Sequence, residues 1–253
     1  MSCLKAFMFP FILFTDLDDT LFHSRRKKTP LEACRPAAYL QNGEPVSYAD
    51  PKQQAMLAHW LKYSAVIPVT ARDSGSFGRV DIPFAHHAVI DYGGVILNPD
   101  GQPDARWLRQ SRHSAAKALP GLQCLADSLR GLPPEIADDL NIRLIGDFGI
   151  TFYLLLKSRS GRQSNLNPAA TILRPLLQGG EKLHLNANNL AVLPAWLDKR
   201  NAVLHLLGIY RRLMPDAVTL GMGDSLTDLP FMQACDYRIV PAGSQIADKM
   251  ETD

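Results

Sequence analysis

Asp16, Asp18 and Asp19 stand directly after an almost wholly apolar run at residues 7–15. Three carboxylates that close repel one another unless a cation or a shared proton relieves them. A lone Asp-x-Asp after a strand is also what a solvated helix cap looks like, so the triplet alone decides nothing. Three other positions join it. Thr70 ends the run VIPVT, Lys199 opens a helical stretch, and Asp224 and Asp228 lie in GMGDSLTD after the short run AVTL. Carboxylates at the ends of two strands can share one hard divalent cation. Magnesium fits, because it takes oxygen ligands and keeps waters that a phosphate can displace. A lysine and a threonine beside it suit phosphate oxygens.

Those residues need strands to hold them. Residues 8–15 (MFPFILFT) predict a strand buried on both faces. Residues 50–63 predict a helix: Asp50 can cap it, Pro51 takes the first helical position, and Met56, Leu57, Trp60 and Leu61 share a face. Residues 64–70 and 88–90 predict two further strands, the second ended by Asp91-Tyr92-Gly93-Gly94. Strand, helix, strand is the order of a parallel α/β sheet. In open sheets of that kind the ligand crevice lies at the carboxyl ends of the strands.

The rhythm then changes. After a turn at 98–101 come a helical stretch at 106–130 and two strands, 141–145 and 151–156, around Gly146-Asp147-Phe148-Gly149. A helix at 167–177 follows, then a second hairpin, 183–185 with 190–193, around Asn186-Ala187-Asn188-Asn189. Past Pro194 the α/β pattern returns with helix 198–213, strand 217–220, helix 226–235 and strand 237–240. The expected fold class is α/β: a Rossmann-like parallel-sheet core at 1–97 and 195–253, with an α+β domain inserted at 98–194.

Composition sets the outer limits. Of 253 residues, 46% are hydrophobic and 21% charged, too apolar for a disordered chain and too polar for a membrane bundle. Lys and Arg number 27 against 25 Asp and Glu, which gives no general electrostatic reason to bind nucleic acid or an anionic membrane. The apolar run after Lys5 mimics a short signal peptide. It flows into Asp16 without a small-residue cleavage site, and it is far shorter than the roughly 20 residues of a membrane span. Cys3, Cys34, Cys124 and Cys235 form no CxxC pair. That speaks against zinc ribbons and thioredoxin-type sites, and for reduced thiols in the cytoplasm.

The four clusters together, DLDDT at 16–20, the strand ending in Thr70, Lys199 in LDKRNAVLHLL, and GDSLTD at 223–228, resemble the four motifs of the haloacid dehalogenase-like superfamily in order and spacing. The insertion falls between the second and third motifs and looks like the α+β cap of the subgroup containing sucrose-phosphate and mannosyl-phosphoglycerate phosphatases. Thr70-Ala71-Arg72-Asp73 is similar to that subgroup's TGR stretch. The resemblance implies a phosphohydrolase. Asp16 would attack phosphorus and form an aspartyl-phosphate. Asp18 would protonate the leaving oxygen and then activate water. Thr70 and Lys199 would hold the phosphoryl oxygens. Asp16, the backbone carbonyl of Asp18, and Asp224 would bind Mg2+, with Asp228 as a further ligand or support. The substrate implied is a small phosphorylated metabolite, a phosphosugar or sugar-like phosphate, since a closing cap would obstruct a folded phosphoprotein. A phosphomutase of the same fold and a non-catalytic metabolite-binding regulator are the alternatives.

The chain departs from the pattern twice. Thr227-Asp228 stands where the subgroup usually has Asn-Asp, and a threonine can still hydrogen-bond a metal-bound water. Asp19 replaces a frequent glycine, and Asp tolerates unusual turn dihedrals better than most residues. Among weaker signals, Arg72 at a strand end is a candidate substrate contact, as are Asn186 and Asn189 in the second hairpin, although asparagine is common in turns for its own conformational reasons. The run from His23 to Lys28 reads most simply as solvated charge. His86, His87 and His184 are given no ligand role, and Trp60, Trp107 and Trp196 read as packing residues.

Overall fold

A computed structural model describes residues 9–25, 32–186 and 188–252, without the side chains of Asn186 and Thr252. Cys3, Met8, the Arg26–Lys28 part of the basic run, Ala187 and the Asn186 side chain therefore lie outside the described residues. The chain divides into two compact units, Met1–Asp104 with Lys199–Asp253, and Ala105–Asp198.

The first unit begins with β1 (Phe11–Thr15), whose residues past Phe11 are all buried. Three short strands follow, β2 (His23–Ser24), β3 (Arg35–Tyr39) and β4 (Pro45–Ala49), which pair antiparallel in the order β2-β4-β3. Helix α1 (Pro51–Tyr63) starts on a reciprocal cap: Gln53 N–H donates to Asp50 Oδ1 at 2.8 Å, and Asp50 N–H donates to Gln53 Oε1 at 3.1 Å. Such a box satisfies two of the amides that a helix start leaves orphaned. Met56, Leu57, Trp60 and Leu61 pack on the core as their spacing predicts. Next come β5 (Ser64–Pro68), the short α2 (Ser74–Phe77), β6 (Ala88–Ile90) and β7 (Val95–Leu97).

The second unit opens with α3 (Ala105–Ser128) and the short α4 (Pro134–Ala137). The hairpin of β8 (Leu140–Asp147) and β9 (Ile150–Ser158) turns at Phe148 and Gly149, which both have positive φ. Helix α5 (Asn167–Leu173), β10 (Lys182–Asn186) and β11 (Asn189–Leu193) complete an antiparallel sheet in the order β10-β11-β9-β8. Its helix-facing side contributes Leu140, Leu154, Leu156, Leu190 and Val192 to one core with Leu122, Leu125 and Leu129 of the helical layer.

The chain then returns to the first unit through α6 (Lys199–Leu213), β12 (Val218–Met222), α7 (Leu229–Met232), β13 (Tyr237–Ile239) and α8 (Gln245–Thr252). The central sheet is wholly parallel, in the order β13-β12-β1-β5. The fold class is α/β, with a parallel-sheet core and separate antiparallel sheets. Among the described residues no helix is long and apolar enough to cross a membrane.

Several elements differ from the sequence reading. Strand β6 does not extend the parallel sheet as a full member. It pairs antiparallel with β7, and among the described residues a bridge from Val69 to Val89 links it to the sheet. Residues 98–104 belong with the first unit, because Asn98 N–H bonds Gln102, Asp104 N–H bonds Ile96, and Pro103 bridges Leu97. Residues 195–198 belong with the second. The helix expected at 226–235 is one turn, since Asp228 is drawn back toward Ser225 and Lys199 instead of continuing a helix N-terminally.

Candidate active site

The site grows from strand register. Thr15 pairs with both Pro68 and Met222, so β1, β5 and β12 end at one level. Asp16 N–H donates to Met222 O at 2.8 Å, and Val69 N–H donates to Thr15 O at 2.8 Å. One residue further the backbone leaves the ladder, and the side chains that follow share the carboxyl edge of the sheet. This is where an open parallel sheet leaves a crevice.

The loop after β1 folds tightly. Amides of Thr20, Leu21 and Phe22 all point at Leu17 O, and Asp19 N–H closes the turn onto Phe22 O at 2.8 Å. Asp19 takes φ 64°, the left-handed conformation expected of a residue standing in a glycine's place. Its Oδ1 lies 3.4 Å from His23 Nδ1. Gln53 of α1 reaches across to donate to Thr20 O at 3.3 Å, which ties the loop to the helix start.

Lys199 is the hub. It opens α6 with only 4% of its surface exposed, and its Nζ lies 2.7 Å from Asp16 Oδ1 and 2.7 Å from Asp228 Oδ1. Burial alone would lower its proton affinity, but the two carboxylates override that and hold it charged above the ordinary lysine range. Burial pushes the Asp16 carboxyl well above the ordinary carboxylate range. Lys199 opposes that shift, and Asp228 and Asp18 add to it. The trio is therefore an ion-paired set in which Asp16 binds a proton more readily than a surface acid.

Asp228 is fully buried and has its second oxygen satisfied. Ser225 donates to Oδ2 from its amide at 3.0 Å and its hydroxyl at 2.7 Å. Thr227 Oγ1 lies 2.7 Å from the same Ser225 hydroxyl, so Thr227 supports Asp228 through Ser225. Gly223 permits this packing. A Cβ there would stand 2.5 Å from Asp228 Cβ.

Asp224 is drawn to the same place. Thr20 Oγ1 donates to its Oδ1 at 3.2 Å. Burial, with Asp228 and Asp19 nearby, pushes its pKa up to about 6. Ligand oxygens of Asp16, Asp224 and Asp228 lie within 4.8 Å of one another. An all-carboxylate set with one lysine leaves negative charge in excess, and its hard oxygen donors fit magnesium.

Thr70 is buried, and its Oγ1 accepts from Arg72 N–H at 3.2 Å, leaving the hydroxyl hydrogen free to be donated. Arg72 is turned onto Asp18. Its Nε and one Nη grip the two oxygens of Asp18 at 2.8 and 2.7 Å. Asn189 lies in the second unit, facing Asn186 across the β10–β11 pair, with its amide 3.4 Å from Asn188 Oδ1. Asn188 has a structural task, since it exchanges bonds with the Ser158 backbone.

Tyr92 was not singled out by type or spacing. It sits at φ 55° in the turn after β6, its N–H donates to Thr70 O at 3.1 Å, and burial pushes its hydroxyl up to about 12. Its hydroxyl feels the charges of Lys199, Asp16, Asp228 and Asp18. Only a positive φ at a bulky residue could have flagged it, and sequence does not show that. Thr20 and Ser225 were likewise invisible, because hydroxyls beside acidic motifs are common.

No protein-family model matches the chain, and no curated protein matches it by sequence. Solved structures do. The sucrose-phosphatase of Synechocystis, determined with sucrose and phosphate, is similar at TM-score 0.55 and 14% identity, covering 97% of this chain and 97% of that one. The C-terminal domain of a C. albicans trehalose-6-phosphate phosphatase is similar at TM-score 0.52 and 13% identity, covering 88% of this chain and 73% of that one. A Eubacterium rectale protein reaches 0.52 at 11% identity, covering 94% and 89%. This chain thus has the fold of a sucrose-phosphatase, the subgroup whose motifs its sequence resembles.

Proposed function

We propose that this chain is a magnesium-dependent phosphohydrolase of the haloacid dehalogenase-like superfamily, acting on a small phosphorylated metabolite, a phosphosugar or sugar-like phosphate. The observation that carries the proposal is Lys199 Nζ at 2.7 Å from both Asp16 and Asp228, beside a carboxylate cluster at the ends of two neighbouring parallel strands. A fold alone hosts many functions. Here all four motif clusters of the resemblance converge, which supports chemistry over mere binding. The sugar-phosphate class is supported by the names of the similar structures, one a sucrose-phosphatase and one a trehalose-6-phosphate phosphatase.

Asp16 supplies the nucleophile. Its carboxylate oxygen bonds to phosphorus as the ester bond breaks, and the leaving oxygen takes the proton of Asp18. The resulting aspartyl-phosphate is then attacked at phosphorus by water, whose proton passes to Asp18. Phosphate leaves and both carboxyls are restored. Lys199 neutralises charge on the phosphoryl oxygens and Thr70 donates its hydroxyl to one of them. Asp16 and Asp224, with the Asp18 carbonyl, would hold Mg2+, with Asp228 as a further ligand or as support through Lys199, and the metal would supply charge neutralisation for the phosphoryl group.

Magnesium-dependent phosphate release from a panel of phosphosugars, phosphoglycerate derivatives and nucleotides tests the proposal, with Asp16→Asn beside the native protein. Release confined to a few sugar phosphates and lost in the variant is expected. Isomerised product with little free phosphate would overturn it in favour of a mutase. Saturable binding without turnover, unchanged in Asp16→Asn, would overturn it in favour of a regulator.

A further inference from the structure

Asp18 carries the proton in both steps of the proposed reaction, yet its side chain is 47% exposed, and among the described residues one residue alone bonds it. That residue is Arg72, whose side chain is only 15% exposed. Every arm of its guanidinium is used. Nε donates to Asp18 Oδ2 at 2.8 Å, one Nη to Asp18 Oδ1 at 2.7 Å, and the other Nη to Ser76 O at 3.2 Å. Its carbon centre lies 5.4 Å from the middle of the Phe22 ring. The Arg72 N–H is fixed in turn by Thr70 Oγ1. A half-exposed carboxylate is thus held by an arginine that is itself anchored at the backbone, over an aromatic face and in the strand-end turn.

We propose that Arg72 is a positioning residue for proton transfer, orienting the Asp18 carboxyl and making no contact with substrate. The inference rests on the phosphohydrolase reading above. A carboxylate has about four lone-pair sites, and the two-pronged grip takes one from each oxygen. A site therefore remains for the proton that Asp18 gives to the leaving oxygen and recovers from water, while the guanidinium keeps all its own protons. A lysine would keep the charge but lose the planar fork.

The test exploits leaving groups. The alkoxide of a sugar needs a proton to depart, and p-nitrophenolate does not. Arg72→Ala and Arg72→Lys are compared with the native protein, each checked by circular dichroism, on p-nitrophenyl phosphate and on the phosphosugar the native protein hydrolyses fastest. General acid–base help is typically worth roughly 10²–10⁴-fold. Both variants should lose about 10²-fold or more in kcat on the phosphosugar, with KM within about threefold of native. On p-nitrophenyl phosphate both should give a near-native first turnover followed by slow turnover, a burst of one equivalent, because only the water step still needs Asp18. Free guanidinium should restore part of the Arg72→Ala rate.

A rise in KM on both substrates with kcat unchanged would overturn the proposal and make Arg72 a substrate contact. Equal loss of burst and steady rate on both substrates, or an Arg72→Lys protein indistinguishable from native, would also overturn it. If the native protein releases no nitrophenolate with magnesium, or Asp16→Asn releases it as fast, the phosphohydrolase reading itself fails and takes this proposal with it. That outcome is visible without any Arg72 variant.

Discussion

Replacing Lys199 by Met should destabilise the first unit in a pH-dependent way. Lys199 is 4% exposed and bonds two carboxylates that are themselves 9% and 0% exposed. Met keeps the length of the side chain but removes the charge. Asp16 and Asp228 would then face each other buried and unpaired. Breaking a buried ion pair by removing one partner costs about 3–5 kcal/mol. For a chain of this size each kcal/mol moves the melting temperature by roughly 2–4 °C, so the expected drop is roughly 6–20 °C at pH 8. Burial already makes Asp16 hold a proton more tightly than an ordinary acid. Without the lysine opposing it, burial should hold a proton on Asp16 more firmly as pH falls, so the drop should shrink at pH 5. Differential scanning calorimetry of both proteins at the two pH values, without divalent metal, reads this directly. A variant melting within about 2 °C of native at pH 8, or losing more at pH 5 than at pH 8, would refute the charge bookkeeping.

Three further outcomes follow from the same geometry. Gly223→Ala would place a Cβ 2.5 Å from Asp228 Cβ, and since overpacking typically costs about 1–3 kcal/mol, it should lower the melting temperature and weaken magnesium binding by isothermal titration calorimetry, whereas Gly43→Ala should leave magnesium binding alone. Asp224, raised to about 6 from an ordinary 3.8, keeps a proton when folded that the unfolded chain has lost, so its contribution to metal-free stability is present at low pH and is lost as pH rises through about 4 to 6. Magnesium needs the ionised form, so 10-fold excess metal should raise the melting temperature more at pH 7.5 than at pH 5.5; equal shifts would contradict the assignment. Gln53→Ala removes both the reciprocal cap and the bond to Thr20 O, and should cost about 1 kcal/mol in urea denaturation, while its larger signature is a loosened β1 loop, read as faster amide exchange at residues 17–22.

What sequence could show depended on whether the determining contact was local. Strand β1 was legible because a short apolar run that flows straight into Asp16 fits a strand buried on both faces better than a signal peptide, and α1 because Asp50, Pro51 and Gln53 write its start within four residues. The β2-β4-β3 sheet was not, since Arg35–Tyr39 does not alternate in hydrophobicity and is held by register shifts and a bridge from Ala38 to Val80. Helix α8 was also missed. Its first residues are organised by the Ser244 hydroxyl and by Ile246 N–H on Asp224 O, a contact 22 positions away. The candidate site followed the same division. The motifs singled out Asp16, Thr70 and Asp224 one segment at a time, and parallel register brings them to one edge of the sheet. The partner of Arg72, 54 positions back in the chain, could not be read from either segment alone.

The central claim is that phosphate passes through a covalent bond to Asp16. Mixing the protein with magnesium and its best phosphosugar, quenching within milliseconds and reducing with borohydride converts an aspartyl-phosphate to homoserine, which peptide mass spectrometry can locate. The expected result is homoserine at position 16 alone, present only with substrate and magnesium and absent in Asp16→Asn. Unaltered Asp16 at every quench time, while phosphate is still being released, would contradict the account and assign the attack on phosphorus to water.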